Sequence, residues 1–375
     1  MKFPFLIGAA VIFLVACQGS KSIQKSHVIL NKDSVFNLSV NSNDSITIHY
    51  IGCTGFFIKK GNDIILIDPY FSNRHGRTYV SGSILKESTI SNNLKGLINS
   101  VFLHTIGDTV DHSGLIKALL ITHAHVDHYG DVPYLFHSKH LNNDSVKIIG
   151  SSTTQHYLIE DKIPTKNIVT SIEPATDSTE GKWIYVNSKM RVLPIVSEHA
   201  PHFKIAGKNF NVTPENVQTK KHPKFWRQYA AGKTVCYLID YLNGDGSVNF
   251  RMYLNSAASN APYGFPPRSL LNQHPVDVAM LCVASYQNSK NYPEDIVTWL
   301  TPKSIIACHW EDFINYSIPE LKEKPKEVFA TNVNEFFNRL DRIVAELNSD
   351  IVYIQPNVNT TINFFYSNSI KEIAK

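Results

Sequence analysis

An α/β fold is predicted from three observations. Short apolar runs of strand length, such as Leu119-Leu120-Ile121 and Ser304-Ile305-Ile306-Ala307, alternate with stretches of helical period. Residues capable of metal or acid–base chemistry follow directly on the ends of those runs. Neither an internal repeat nor a linker-like shift in composition divides residues 46–368, so one domain is expected there, although 375 residues would allow two. Hydrophobic content of 43% and charged content of 18% describe a globular protein and exclude a disordered one. A net charge of +4, with no basic stripe interleaved with stacking aromatics, gives no support to nucleic-acid binding.

The N-terminus reads as a targeting segment. Lys2 supplies a minimal positive region and residues 3–15 an apolar one, too short to span a bilayer and carrying Pro4 at its start. Its end, Leu14-Val15-Ala16-Cys17, is similar to the lipobox of bacterial lipoproteins. That resemblance implies a signal peptide over residues 1–16, a lipid on the thiol of Cys17, and an exported protein held at the bacterial membrane. A plain secretory signal with an incidental cysteine is the alternative. Residues 17–45, rich in Ser, Asn and Lys, read as a solvated tether. Cys53, Cys236, Cys282 and Cys308 lie in or beside apolar runs at spacings that match no disulfide or zinc-knuckle framework, so all four are expected as buried structural residues.

Residues 46–57 and 63–68 flank the turn Lys59-Lys60-Gly61-Asn62 and read as a hairpin. Residues 72–113 are polar and glycine-punctuated and read as an insertion near the mouth of a site, with His75, His104 and His112 as loop histidines. The densest chemistry follows: Thr122-His123-Ala124-His125-Val126-Asp127-His128 places three histidines and a carboxylate within six residues, after a buried strand. In extended backbone, residues two apart point the same way, so His123 and His125 can face one metal ion. Asp127 and His128 come where the strand gives way, displaced from that pair, and can serve a second ion or hold a reacting water.

The spacing H-x-H-x-D-H after a buried strand resembles the metal-binding signature of the metallo-β-lactamase superfamily. Residues 48–72, ending in Asp68-Pro69, look like that family's opening hairpin, and Cys308-His309-Trp310 looks like the strand end that carries its last metal histidine. The resemblance spans roughly residues 46–315. It implies a four-layer αβ/βα sandwich with the site at one edge, where strand ends converge.

Continuing along the chain, a helix is predicted over residues 129–141, strands over 146–149 and 190–196, and a helix over 151–160 between them. The family places one histidine after such a strand to complete its three-histidine face. His199 is closest to the strand end and takes that role, with His202 as competitor or substrate contact. Residues 203–233 form a second insertion, with seven Lys and Arg against Glu215 alone and several aromatics among them. They read either as a solvated face or as an attractor for an anionic substrate or lipid headgroups. Residues 234–242 and 248–254 flank Asn243-Gly244-Asp245-Gly246, a hairpin signal. Here the chain departs from the family: most relatives place a metal-bridging aspartate at this strand end, and this sequence has Ser256, beside Asn255. Two dications close together need anionic ligands, so one tightly bound ion and a conditional second are expected. Further strands are predicted over residues 276–283, 304–308, 351–354 and 361–366, and helices over 294–300 and 332–347, the latter capped by Asn332.

The resemblance thus implies His123, His125 and His199 as ligands of a first Zn2+, and Asp127, His128 and His309 as a second set, with Asp68 fixing the tautomer of a ligand. Three imidazoles and an open position describe catalytic zinc, which brings the pKa of bound water to about 7 and makes hydroxide available at neutral pH. If one metal binds, Asp127 orients the water and shuttles its proton. The Leu-Ile-Asp-Pro opening and Cys-His-Trp ending look most like the lactonase and phospholipase-D-like branch, which favours a phosphodiester or ester substrate, small or lipid-like. A lactone or β-lactam hydrolase is the first alternative, and a non-catalytic, metal-stabilised envelope binding protein the second.

Overall fold

Period-two alternation gives the strands two apolar surfaces. In β12 (Thr234–Leu242), Val235, Tyr237, Ile239 and Tyr241 join one core while Cys236 and Leu238 join another. A strand buried on both faces requires a layer on each side. The computed structural model describes residues 27–30, 34–36, 45–72, 92–106, 115–138, 140–141, 144–201, 204–205, 208–209 and 229–365. Cys17, His75, His112, His202 and most of residues 203–233 lie outside them, and so do the expectations placed on them.

One sheet has eight strands in the order β1-β16-β15-β14-β13-β12-β9-β8. These are β1 (His27–Leu30), β8 (Ile184–Asn187), β9 (Met190–Ser197), β12, β13 (Val248–Asn255), β14 (Val278–Cys282), β15 (Ser304–Cys308) and β16 (Val352–Pro356). It is antiparallel from β8 to β13 and parallel from β13 to β1. The other has seven strands in the order β2-β17-β3-β4-β5-β6-β7: β2 (Ser34–Phe36), β3 (Ser45–Gly52), β4 (Gly55–Lys60), β5 (Asp63–Ile67), β6 (Ile116–Ile121), β7 (Lys147–Gly150) and β17 (Thr360–Phe365). A separate two-residue pair joins β10 (Lys204–Ile205) to β11 (Lys208–Asn209).

The helices are α1 (Asn92–Ile106), α2 (Val126–Tyr129), α3 (Val132–His137), α4 (Ser152–Glu160), α5 (Arg268–Gln273), α6 (Glu294–Leu300), α7 (Ile318–Glu323) and α8 (Val333–Glu346). The two sheets share one core, in which Met190, Tyr237, Met252 and Met280 meet Ile48, Phe56, Leu66 and Leu119. A second core joins the outer face of the larger sheet, through Leu193, Leu281 and Ile305, to Leu270 of α5, Val297 of α6 and Phe336 and Leu340 of α8. On the smaller sheet, Phe102 of α1 sets its ring edge-on to Phe57 of β4, 5.0 Å between centroids. Helices therefore flank two facing sheets, the αβ/βα sandwich expected. Among the described residues no helix is long and apolar enough to cross a membrane.

Several boundaries differ from the sequence reading, each for a local reason. The run over residues 46–57 is two strands, because Gly52 (φ +131°) and Cys53 (φ +53°) turn the chain and set Gly52 opposite Gly55. The helix expected over residues 129–141 is α2 followed by α3: Gly130 and Asp131 intervene, and Pro133 sits where a new helix starts. The insertion 72–113 contains α1, which buries Ile98, Val101 and Phe102 at helical spacing. Within the stretch read as tether, β1 pairs with β16 and β2 with β17, at one edge of each sheet. The strand β8 and helices α5 and α7 had no counterpart in the sequence reading. The capping expected of Asn332 is present, its side chain accepting from the Glu335 N–H at 3.0 Å. The four cysteines beyond Cys17 are buried and free.

At one edge the two sheets are tied by main-chain bonds. Val235 N–H donates to Thr122 O (2.9 Å) and Ala124 N–H to Ala231 O (3.3 Å). Tyr237 of the larger sheet donates its hydroxyl toward the carbonyls of Ile121 and Ile149 in the smaller one (2.8 and 3.0 Å). The ends of β5, β6, β9, β13 and β15 are all extended into this edge by polar residues.

Candidate metal centre

Each donor side chain sits just past a buried strand, where backbone pairing stops and the chain is free to turn. His123 and His125 follow β6, and His125, in extended backbone, caps α2, so Asp127 and His128 arrive within its first turn. His199 follows β9 and His309 follows β15. The structure brings these six residues into two groups. Donor atoms of His123, His125 and His199 all lie within 4.8 Å of one another, and so do those of Asp127, His128 and His309. The groups adjoin, with the His123 and His128 rings 3.9 Å apart between centroids.

The donor chemistry fits divalent metal ions. His123 Nε2 and His125 Nδ1 are 3.1 Å apart, and Asp127 Oδ2 is 3.5 Å from both His128 Nε2 and His309 Nε2. Adjacent ligands of a tetrahedral zinc at about 2.05 Å stand about 3.3 Å from one another. His199 directs Nδ1 at the Ala200 carbonyl (2.8 Å), which leaves Nε2 as its donor. His128 Nδ1 lies 2.8 Å from Asp68 Oδ2, and Thr54 Oγ1 is 2.8 Å from both atoms. A carboxylate only accepts, so Nδ1 carries the proton of the neutral ring and Nε2 faces Asp127. Asp68 is anchored in turn by the N–H of Thr122 (2.9 Å) and the hydroxyl of Thr122 (2.5 Å).

Electrostatics separate the two groups. Burial drives His123 well below the usual imidazole range, and the neighbouring His128, His125 and His199 push the same way. His128 behaves oppositely. Burial disfavours its charge, but Asp127 and Asp68 on either side outweigh that and raise it to about 10. Asp127 also opposes its burial: the charge of His128 and hydrogen bonds from His128 and His309 hold it well below the usual carboxylate range.

Ser256 lies at the end of β13, 2% exposed, with its Oγ buried and without a hydrogen-bond partner. Asp240 and Asp245 do not replace the missing carboxylate. Asp240 pairs with Arg191 and Arg251, and Asp245 accepts from Ser247 in the β12–β13 turn. Asp127 is thus the one carboxylate among the six donors. Substituting Ser256→Asp is expected to raise zinc content from about one ion per chain toward two, because an added anion offsets repulsion between close dications. Metal analysis after dialysis against micromolar zinc measures this, and unchanged stoichiometry would count against the charge argument.

Three residues that the sequence reading did not place at the site border the second group. Tyr50 Oη is 3.0 Å from the N–H of His309, and the buried Glu311 carboxylate is 2.5 Å from Tyr50 Oη. Phe313 sets its ring 4.6 Å from that of His309. Proximity of Glu311 and Phe313 to His309 in the chain was the available signal; Tyr50 offered none.

Residues 108–195 match the family model described as the metallo-beta-lactamase superfamily, a segment holding His123, His125, Asp127 and His128 and ending before His199. No curated protein matches the sequence. Among solved structures the chain is similar to Igni18, a novel metallo hydrolase from the archaeon Ignicoccus hospitalis, at 13% identity and a TM-score of 0.49, over 86% of this chain and 100% of that one. An isothiocyanate hydrolase from Delia radicum gut bacteria is similar at 12% identity and a TM-score of 0.46, over 85% and 99%. CmlA, a diiron β-hydroxylase from Streptomyces venezuelae, is similar at 12% identity and a TM-score of 0.45, over 88% of this chain and 55% of that one.

Proposed function

We propose that this protein is a metal-dependent hydrolase of the metallo-β-lactamase superfamily, acting on a phosphodiester or ester. The observation that carries the reading is the pair of adjoining donor sets, one of three imidazoles and one of two imidazoles and a carboxylate, assembled from three strand ends of two sheets. A divalent cation in such a site supplies Lewis acidity and lowers the pKa of water to about 7. His123, neutral and buried, offers its lone pair without first losing a proton. With the first donor set alone filled, Asp127, held ionised between His128 and His309, would accept a hydrogen bond from an attacking water and orient it toward the scissile centre. Asp68 keeps the His128 ring in one orientation throughout. Cys53, Tyr70, Phe313 and Val328 form a small apolar cluster on the His309 side.

The motif resemblance to the lactonase and phospholipase-D-like branch favours the phosphodiester or ester, and the basic, aromatic stretch over residues 203–233 favours an anionic one. The purified protein, loaded with zinc, manganese or iron in separate preparations, should hydrolyse a member of a panel of phosphodiesters, carboxylic esters, lactones and β-lactams. Turnover confined to lactones or β-lactams moves the assignment to that substrate class. Stable metal binding with no turnover of any panel member with any metal replaces the enzyme by a metal-stabilised binding protein.

Membrane attachment through Cys17 is part of the same proposal. A Cys17→Ser variant is expected to move from the membrane fraction to the soluble fraction and to lose incorporation of a labelled fatty acid. Equal labelling of the variant and the parent would remove the anchor from the account.

A further inference from the structure

Three of the candidate ligand imidazoles, drawn from both donor sets, are not held in the same way. His128 is oriented through its ring by Asp68, and His199 through its ring by the Ala200 carbonyl. His309 has no such partner: its Nδ1 is buried without a hydrogen bond, while Nε2 faces Asp127. Its position is set by the Phe313 ring 4.6 Å away and by its backbone, which adopts a left-handed conformation at φ +59°.

That backbone is clamped by one buried pair. His309 N–H donates to Tyr50 Oη at 3.0 Å, and Tyr50 Oη is 2.5 Å from Glu311 Oε2 and 2.9 Å from the Cys53 carbonyl. The other Glu311 oxygen accepts from the N–H of Cys53, itself left-handed at φ +53°. Glu311 and Tyr50 thus join two strained strand ends, one from each sheet. The chain leaves room for the carboxylate: a Cβ on Gly52 would stand 3.3 Å from Glu311 Oε1 and 3.3 Å from Val358 Cγ1.

We propose that Glu311, acting through Tyr50, is a positioning residue that holds the His309 imidazole where it completes the second donor set. The proposal rests on the metal-dependent reading above. It makes the role one of placement, not of charge. A glutamine at position 311 can accept from Cys53 N–H through its oxygen and donate to Tyr50 Oη, whose own hydroxyl then donates a hydrogen bond to the Cys53 carbonyl.

The test is zinc titration of the full chain against a chromophoric chelator, resolving two dissociation constants, with thermal unfolding of the metal-free proteins alongside. Glu311→Ala is expected to weaken the second zinc by about 10- to 100-fold and leave the first within about twofold. Tyr50→Phe, which keeps the ring and removes the acceptor, should follow it, and Glu311→Gln should return the second constant to within about threefold of the parent. Parental constants in both Glu311→Ala and Tyr50→Phe overturn the proposal. So does a Glu311→Gln variant as defective as the alanine, or weakening of both zinc sites in step with a fall in Tm. A parent protein that takes up no zinc overturns the hydrolase reading itself, so the two failures are told apart.

Discussion

Replacing His123 with alanine is expected to lower kcat/KM by on the order of 10^3-fold or more, because without a cation the pKa of water returns from about 7 toward 15.7. His123 is fully buried and central, adjoining His125, His128 and His199 at ring distances of 4.7, 3.9 and 5.1 Å. Its loss opens the first donor set and removes a wall of the second. The cavity left behind also costs stability, so His199→Ala, at the more open side of the same set, serves as the companion variant. Both should lose first-site zinc along with turnover, while circular dichroism remains that of the parent. Turnover within tenfold of the parent, in a folded variant that has lost its zinc, would remove these residues from the chemistry.

The second large effect is a difference in pH dependence between the two sets. His128 is raised to about 10 in the metal-free fold, against an ordinary imidazole value near 6.5. Its ionised form is therefore favoured by folding. That contribution to stability is complete below about pH 6.5 and is lost as pH rises through about 10. A cation at Asp127, His128 and His309 must displace the His128 proton throughout that window. Second-site affinity should then climb about tenfold per pH unit from pH 7 to pH 9. His123 sits well below the usual imidazole range and has no proton to give up, so first-site affinity should stay nearly flat over the same interval. Zinc titrations at pH 7, 8 and 9 distinguish the sets. Equal slopes would mean that the Asp68 and Asp127 carboxylates do not hold a proton on His128.

The sandwich and the cluster from His123 to His128 were legible in the sequence because each rests on local pattern. Buried strands announce themselves as apolar runs, and His123, His125, Asp127 and His128 crowd within six positions after one of them. His199 and His309 were reached through the family's habit of placing one histidine after a strand. The parts that escaped depend on contacts between distant segments. Tyr50 and Glu311 are 261 residues apart, and nothing in the neighbourhood of Tyr50 distinguishes it from a core tyrosine. The division of residues 46–57 into two strands turns on backbone angles at Gly52 and Cys53, which an unbroken apolar run conceals. The strand β1 was hidden for the opposite reason: four residues in a polar stretch become a strand only because β16 offers an unpaired edge.

That edge pairing shortens the leash. If Cys17 carries the proposed lipid, the ten steps of chain from there to His27 can reach no more than roughly 35 Å. The 28 steps from Cys17 to Ser45 would have reached nearly three times as far. On the anchored reading proposed above, the protein would work close to the bilayer surface, where amphiphiles concentrate and where its freedom to tumble would be restricted.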